Sequence, residues 1–159
     1  MNRIEFHANN LSDTDRLGAA LAEVLPPGAV ALSGTLGAGK TRLVQAIAAA
    51  CGIAREEVVS PTFVLCQQYT GTRTIYHMDA YRLRDDDEFR ELGAEEYFAS
   101  DGLTIIEWAE KVLDCLPEER VEIEIEVTGP DSRKFTIAVR GAALSTFPAR
   151  LAERLAGSR

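Results

Sequence analysis

The sequence predicts a three-layer α/β fold in which a central mixed sheet is flanked by helices, and three observations support it. A short apolar run at 30–33 enters a glycine-rich loop directly and is followed by an alanine-rich helical stretch, a strand–loop–helix unit. A second, uniformly apolar run at 103–106, bounded by Gly102 and Glu107, has the composition of a central strand buried on both faces. Two pairs of strand-like segments, 63–69 with 73–78 and 121–127 with 134–140, have turn residues between them and are expected to form hairpins, which makes the sheet mixed.

The elements follow in order. Residues 3–8 alternate enough to form a short strand. Ser12-Asp13-Thr14-Asp15 then offer N-cap residues for a helix running to about Val24, with Leu17, Ala20, Leu21 and Val24 at helical spacing. Pro26, Pro27 and Gly28 stop it. The helix predicted over 40–51 places Leu43, Val44, Ile47 and Ala48 on one face and ends at Gly52. Thr70-Gly71-Thr72 turn the first hairpin. The acidic stretch Asp85-Asp86-Asp87-Glu88, Leu92-Gly93 and Glu95-Glu96-Tyr97-Phe98 predict short helices. In 121–127 the three glutamates fall on one face and Val121, Ile123, Ile125 and Val127 on the other, so one side is expected to pack and the other to meet water. The tail from Ala142 predicts a short amphipathic helix interrupted near Pro148.

A chain of 159 residues with 46% apolar composition can bury one sizeable core, and a single domain over 1–159 is expected. The net charge of -8 repels polyanions, so any RNA is expected to reach the protein through a partner. Cys51, Cys66 and Cys115 are too far apart for a zinc site or redox pair and predict thiols in a reducing compartment. With no signal-peptide pattern and no long apolar span, a cytoplasmic location is expected.

The chemistry starts at Gly34-Thr35-Leu36-Gly37-Ala38-Gly39-Lys40-Thr41, which matches Gly-x-x-x-x-Gly-Lys-Thr at every specified position and lies between a strand and a helix. This is a P-loop, and it makes the predicted architecture a P-loop NTPase-like fold. Glycines let successive N–H groups turn onto phosphate oxygens, the helix N-terminus adds positive potential, Lys40 neutralises phosphate charge and the Thr41 hydroxyl suits magnesium. Such a site needs an acid at a neighbouring strand end to help hold magnesium. Asp79 and Glu107 both qualify. Glu107, after the more uniformly apolar strand, is favoured for the metal, and Asp79 is left to position or deprotonate the attacking water or to cap a turn. Thr62, in Ser60-Pro61-Thr62-Phe63, occupies the place of a nucleotide-dependent loop. Trp108 lies beside the metal side or in the core, and His77 is expected to be structural.

Four separated signatures, the P-loop, Ser60-Pro61-Thr62-Phe63, His77-Met78-Asp79-Ala80-Tyr81-Arg82-Leu83 and Glu107-Trp108-Ala109-Glu110, together resemble the TsaE family, also called YjeE, over about residues 10–140. The resemblance implies an ATPase, weak alone and stimulated by partners, of tRNA N6-threonylcarbamoyladenosine synthesis. It would act with TsaB and TsaD to support repeated turnover on the adenosine beside the anticodon. It would use ATP and Mg2+ and meet tRNA through the complex, with neither membrane nor DNA as partner. By position, Lys40, Asp79, Glu107 and Thr62 are implied to be catalytic. Nucleotide contacts are implied at Leu11, Gly37, Ala38, Gly39, Lys40, Thr41, Arg42, Trp108 and Arg133, and metal contacts at Thr41 and Glu107. The chain departs from the family pattern at Thr35 and Ala80, neither expected to touch phosphate through its side chain. Two rivals remain: a small-molecule kinase, for which the chain lacks a basic lid, and a nucleotide-dependent interaction module whose bound state is the signal.

Overall fold

In the computed structural model, which describes residues 2–35, 37–59 and 66–157, the chain runs β1 (Arg3–Ala8), α1 (Leu11–Val24), β2 (Gly28–Gly34), α2 (Lys40–Ala50), β3 (Cys66–Thr70) and β4 (Thr74–Asp79). It continues through α3 (Asp86–Glu91), α4 (Ala94–Phe98), β5 (Leu103–Glu107), β6 (Arg120–Val127), β7 (Arg133–Arg140) and α5 (Phe147–Ala156), with short 3-10 turns between several of these. One seven-stranded sheet has the order β1-β7-β6-β2-β5-β4-β3. Strands β6, β2, β5 and β4 are parallel, while β7 pairs antiparallel with both β6 and β1, and β3 pairs antiparallel with β4. The mixed three-layer arrangement expected from the sequence is therefore present.

Alternation along the strands builds two cores. Val30 and Leu32 of β2 and Leu103 and Ile105 of β5 face one side, where α1, α2 and α5 bury Leu17, Leu21, Leu43, Ile47 and Leu151. Each such fully buried aliphatic side chain contributes about 1.5–3 kcal/mol. Ala29, Ala31, Met78 and Ile106 face the other side, against Phe89, Ala94 and Val112. Gly18 lets α1 and α2 approach closely, since a Cβ there would lie 2.4 Å from the Ala46 Cβ. That contact fixes the helix that begins at Lys40.

Several boundaries differ from expectation. The α1 N-cap is Asn10, whose side chain accepts from the Asp13 N–H, and Asp13 in turn accepts from the Asn9 N–H at 2.9 Å. These two bonds satisfy the N–H groups of Asp13 and Asn9 from a cap that precedes the 12–15 segment expected to supply it, so the helix starts earlier. Pro148 does not interrupt the tail helix; it sits in the first turn of α5, where its missing N–H costs nothing. Val127 is 51% exposed because β6 has left the core by its last residue. The glutamate face behaves as expected, with Glu124 and Glu126 exposed and Glu122 half-buried beside Arg120 and Arg140. Strand β3 starts at Cys66, and residues 63–65 of the expected strand lie outside the described residues. No helix among the described residues is long and apolar enough to cross a membrane.

Candidate active site

The loop and both acids meet at the carboxyl ends of the parallel strands, where α/β sheets place ligands. β2 delivers the chain to Gly34, where a Cβ would lie 2.7 Å from the Ile125 carbonyl oxygen of β6, so only glycine permits this approach. At the other end of the loop Gly39 opens α2 in a left-handed conformation with no side-chain cap. The first N–H groups of α2 therefore carry no capping acceptor among the described residues and keep their partial positive charge. The Lys40 ammonium donates to the carbonyls of Gly34 at 2.7 Å and Thr35 at 3.0 Å and lies 3.8 Å from the centre of the Trp108 ring. Burial pushes its pKa down, against the charges of Glu110, Glu107 and Asp79, which raise it.

Asp79 and Glu107 are register partners at the ends of β4 and β5, joined by the Ala80 N–H donating to the Glu107 carbonyl at 3.0 Å. Both are buried. The Thr41 hydroxyl lies 2.9 Å from each carboxylate oxygen of Glu107, which links the last loop residue to the strand-end acid. A hydroxyl beside one carboxylate suits magnesium, a hard cation that takes oxygen ligands and completes its shell with water and phosphate rather than with a protein cage. No cluster of three or more His, Cys, Asp or Glu side chains that could hold a metal ion occurs among the described residues. Asp79 Oδ1 accepts the Tyr81 N–H at 2.8 Å, so this acid caps a turn while its charge is felt at Lys40. Trp108 has φ 58°, the one non-glycine residue with positive φ among those described, and its ring packs on Tyr81 with centroids 4.8 Å apart. Backbone strain of about 1–3 kcal/mol at such a residue is typical of functional sites.

Arg133 opens β7 opposite Ala8 of β1 and donates from Nε to the Ala38 carbonyl at 2.8 Å, so it braces the loop from outside. Leu11, at the start of α1 three residues past Ala8, is 54% exposed. Arg133 thus contacts the loop, while Leu11 follows the strand that pairs with β7. A cleft of about 640 Å³ on another side is lined by Gly34, Thr35, Trp108, Glu110, Glu124 and Glu126, and its acidic rim disfavours phosphate. The Arg42 guanidinium turns to Asp15 of α1 at 2.7 Å, which leaves the backbone of Arg42, in the first turn of α2, as its group nearest the loop. Gly37 and Ala38 lie in the loop itself, and Thr62 lies outside the described residues. His77, expected to be structural, and Tyr69, which the sequence did not single out, join Glu107 in a buried hydrogen-bonded chain. The available signal was a histidine inside a buried strand, two residues before Asp79 and so on the same strand face.

A model of the family described as Threonylcarbamoyl adenosine biosynthesis protein TsaE matches residues 8–135. The chain belongs to the TsaE family. It is 41% identical to the tRNA threonylcarbamoyladenosine biosynthesis protein TsaE of Treponema pallidum over 82% of this chain and 97% of that one. Against the protein of the same description from Bacillus subtilis it is 38% identical, covering 89% of each. The crystal structure of Bacillus subtilis YdiB superposes with a TM-score of 0.75 at 30% identity, over 98% of this chain and 95% of that one. The P-loop, Asp79 and Glu107 described above all fall within the stretch matched by the TsaE family.

Proposed function

We propose that this TsaE-family chain binds ATP with magnesium at the P-loop and hydrolyses it, in the cytoplasm, in support of tRNA N6-threonylcarbamoyladenosine synthesis with TsaB and TsaD. The observation that carries this is the contact between Thr41 and Glu107, which puts a hydroxyl and a strand-end carboxylate together beside the phosphate loop. The process is the one named for its relatives.

The chain's own groups divide the work. N–H groups of Gly37, Ala38, Gly39, Lys40, Thr41 and Arg42 present the loop and the first turn of α2 to phosphate oxygens. Phosphate oxygens compete with the Gly34 and Thr35 carbonyls for the Lys40 ammonium, which then stabilises charge building on the transferred phosphoryl group. Thr41 and Glu107 would hold magnesium, which would supply positive charge against the charge developing on the phosphate. Asp79, at the end of β4, orients the attacking water. Arg133 braces the loop from outside, Leu11 is assigned to the base and sugar side, and Trp108 limits how far Lys40 can swing.

Equilibrium binding of ATP and release of inorganic phosphate by the purified protein, with and without magnesium, test this directly. Magnesium-dependent binding and slow hydrolysis, both lost in Lys40→Ala, are expected. Binding without any hydrolysis, even with the two partner proteins present, would favour a module whose bound state is the signal. Phosphate transfer to a metabolite would favour a kinase.

A further inference from the structure

We propose that His77, held in turn by Tyr69, is a positioning residue for Glu107, and that this buried chain of side chains sets the affinity of the site for magnesium. The inference deepens the ATPase reading above and rests on it.

His77 is completely buried in β4, in a strand whose neighbouring inward residue is Ile75. A polar ring there is tolerated only with both nitrogens satisfied. They are: Nε2 lies 2.5 Å from Glu107 Oε2, and Nδ1 lies 3.2 Å from the Tyr69 hydroxyl. An ionised carboxylate can only accept, so the shared proton belongs on Nε2. The Tyr69 hydroxyl, which donates its proton to the Gln67 side-chain oxygen, meets Nδ1 on the other side of the ring and fixes the ring's orientation.

The consequence for Glu107 is geometric. The Thr41 hydroxyl alone is equidistant from both carboxylate oxygens and leaves the terminal torsion of the side chain, which is intrinsically soft, undetermined. The His77 N–H engages one oxygen from the β4 side while Thr41 approaches from α2, so two elements define the plane of the carboxylate. Outer-shell partners of this kind are worth about 10–100-fold in metal affinity or activity when removed.

The chain extends outward. Tyr69 lies 2.5 Å from the Gln67 side-chain oxygen, both on β3, which is an edge strand paired on one side only. Burial pushes the Tyr69 hydroxyl up to about 12, so it remains a phenol, while a backbone hydrogen bond at Val59 pulls the other way. Val59 immediately precedes 60–65, the segment that contains Thr62, and Cys66 immediately follows it. The phenol therefore links Val59 and strand β3 to His77, and through it to the carboxylate.

The test compares Tyr69→Phe, His77→Asn and His77→Gln, because glutamine can bring an N–H close to the position of the imidazole Nε2 and asparagine cannot. ATP affinity is measured by calorimetry across a magnesium titration and again in excess chelator, with thermal melting as the check on folding. For His77→Asn the magnesium needed for half the effect should rise about 10–100-fold, with chelator-state affinity unchanged, substantial recovery in His77→Gln and a smaller rise in Tyr69→Phe. Equal magnesium dependence in His77→Asn, His77→Gln and the parent would overturn the inference, as would an equal loss of metal-free affinity, which marks mere packing. If His77→Asn does not fold, Tyr69→Phe decides alone: a parent-like magnesium dependence there overturns the inference. A parent protein whose ATP affinity ignores magnesium would overturn the ATPase reading itself.

Discussion

Replacing Glu107 by glutamine separates the role of its charge from the role of its shape. Glu107 is 2% exposed and accepts from His77 and Thr41. An amide of the same shape can still accept from the His77 N–H through its oxygen and donate to the Thr41 oxygen, so no buried group is orphaned. Exchanging two charge-assisted bonds of about 1.5–3 kcal/mol for neutral ones of about 0.5–1.5 kcal/mol costs roughly 2–3 kcal/mol in total. Against that, the mutant no longer buries a carboxylate, whose effective desolvation penalty is several kcal/mol. The two effects oppose each other at similar size, so Tm should move by only a few degrees, at about 2–4 °C per kcal/mol for a domain of this length. Magnesium-dependent catalysis has no such compensation. Loss of the one anionic protein group in the proposed metal pair, at about 3 kcal/mol, lowers turnover by about a hundredfold or more. Thermal melting together with phosphate release across a magnesium titration checks both parts. A Glu107→Gln protein with parent-like turnover and magnesium dependence would refute the assignment of the metal carboxylate, whatever its Tm.

Three other variants probe the loop and the second acid. Lys40→Ala should abolish detectable ATP binding by calorimetry while keeping its Tm within a few degrees, because among the described residues the ammonium meets two loop carbonyls and the Trp108 ring rather than the helix-packed core. Asp79→Asn keeps an acceptor for the Tyr81 N–H, so ATP affinity should stay near that of the parent while turnover falls about 10²–10⁴-fold; a drop in affinity alone would contradict a role in water positioning. Gly34→Ala places a Cβ against the Ile125 carbonyl at a φ of +150°, and chemical denaturation should show a loss of about 1–3 kcal/mol or more, with parent-like stability counting against the close approach of β2 and β6.

How far the sequence disclosed this molecule follows from the range of the signals. The strand, loop and helix around Lys40 are local, and so is the apolar run that makes Glu107 the last residue of a buried strand; both were legible before any coordinates. Periodicity also anticipated the β6–β7 hairpin and which face of it meets water. The pairing of Asp79 with Glu107 was not legible, since it depends on the parallel register of β4 and β5, set by packing between residues far apart in sequence. For the same reason His77 looked like an ordinary core residue: its partners, Tyr69 and Glu107, lie 8 and 30 residues away. The errors at helix starts have a different origin. Asn10 was a better-placed cap than the four polar residues that follow Leu11, and Pro148 reads as a breaker unless one knows that the helix starts there.

The most direct test of the account is ATP hydrolysis by this protein with and without TsaB, TsaD and tRNA, counted against the number of tRNA molecules modified per partner complex. The account predicts hydrolysis stimulated by the partners, lost in Lys40→Ala, and required for modification to continue beyond the first turnover. Repeated modification that proceeds equally well without this protein, or with Lys40→Ala in its place, would contradict it.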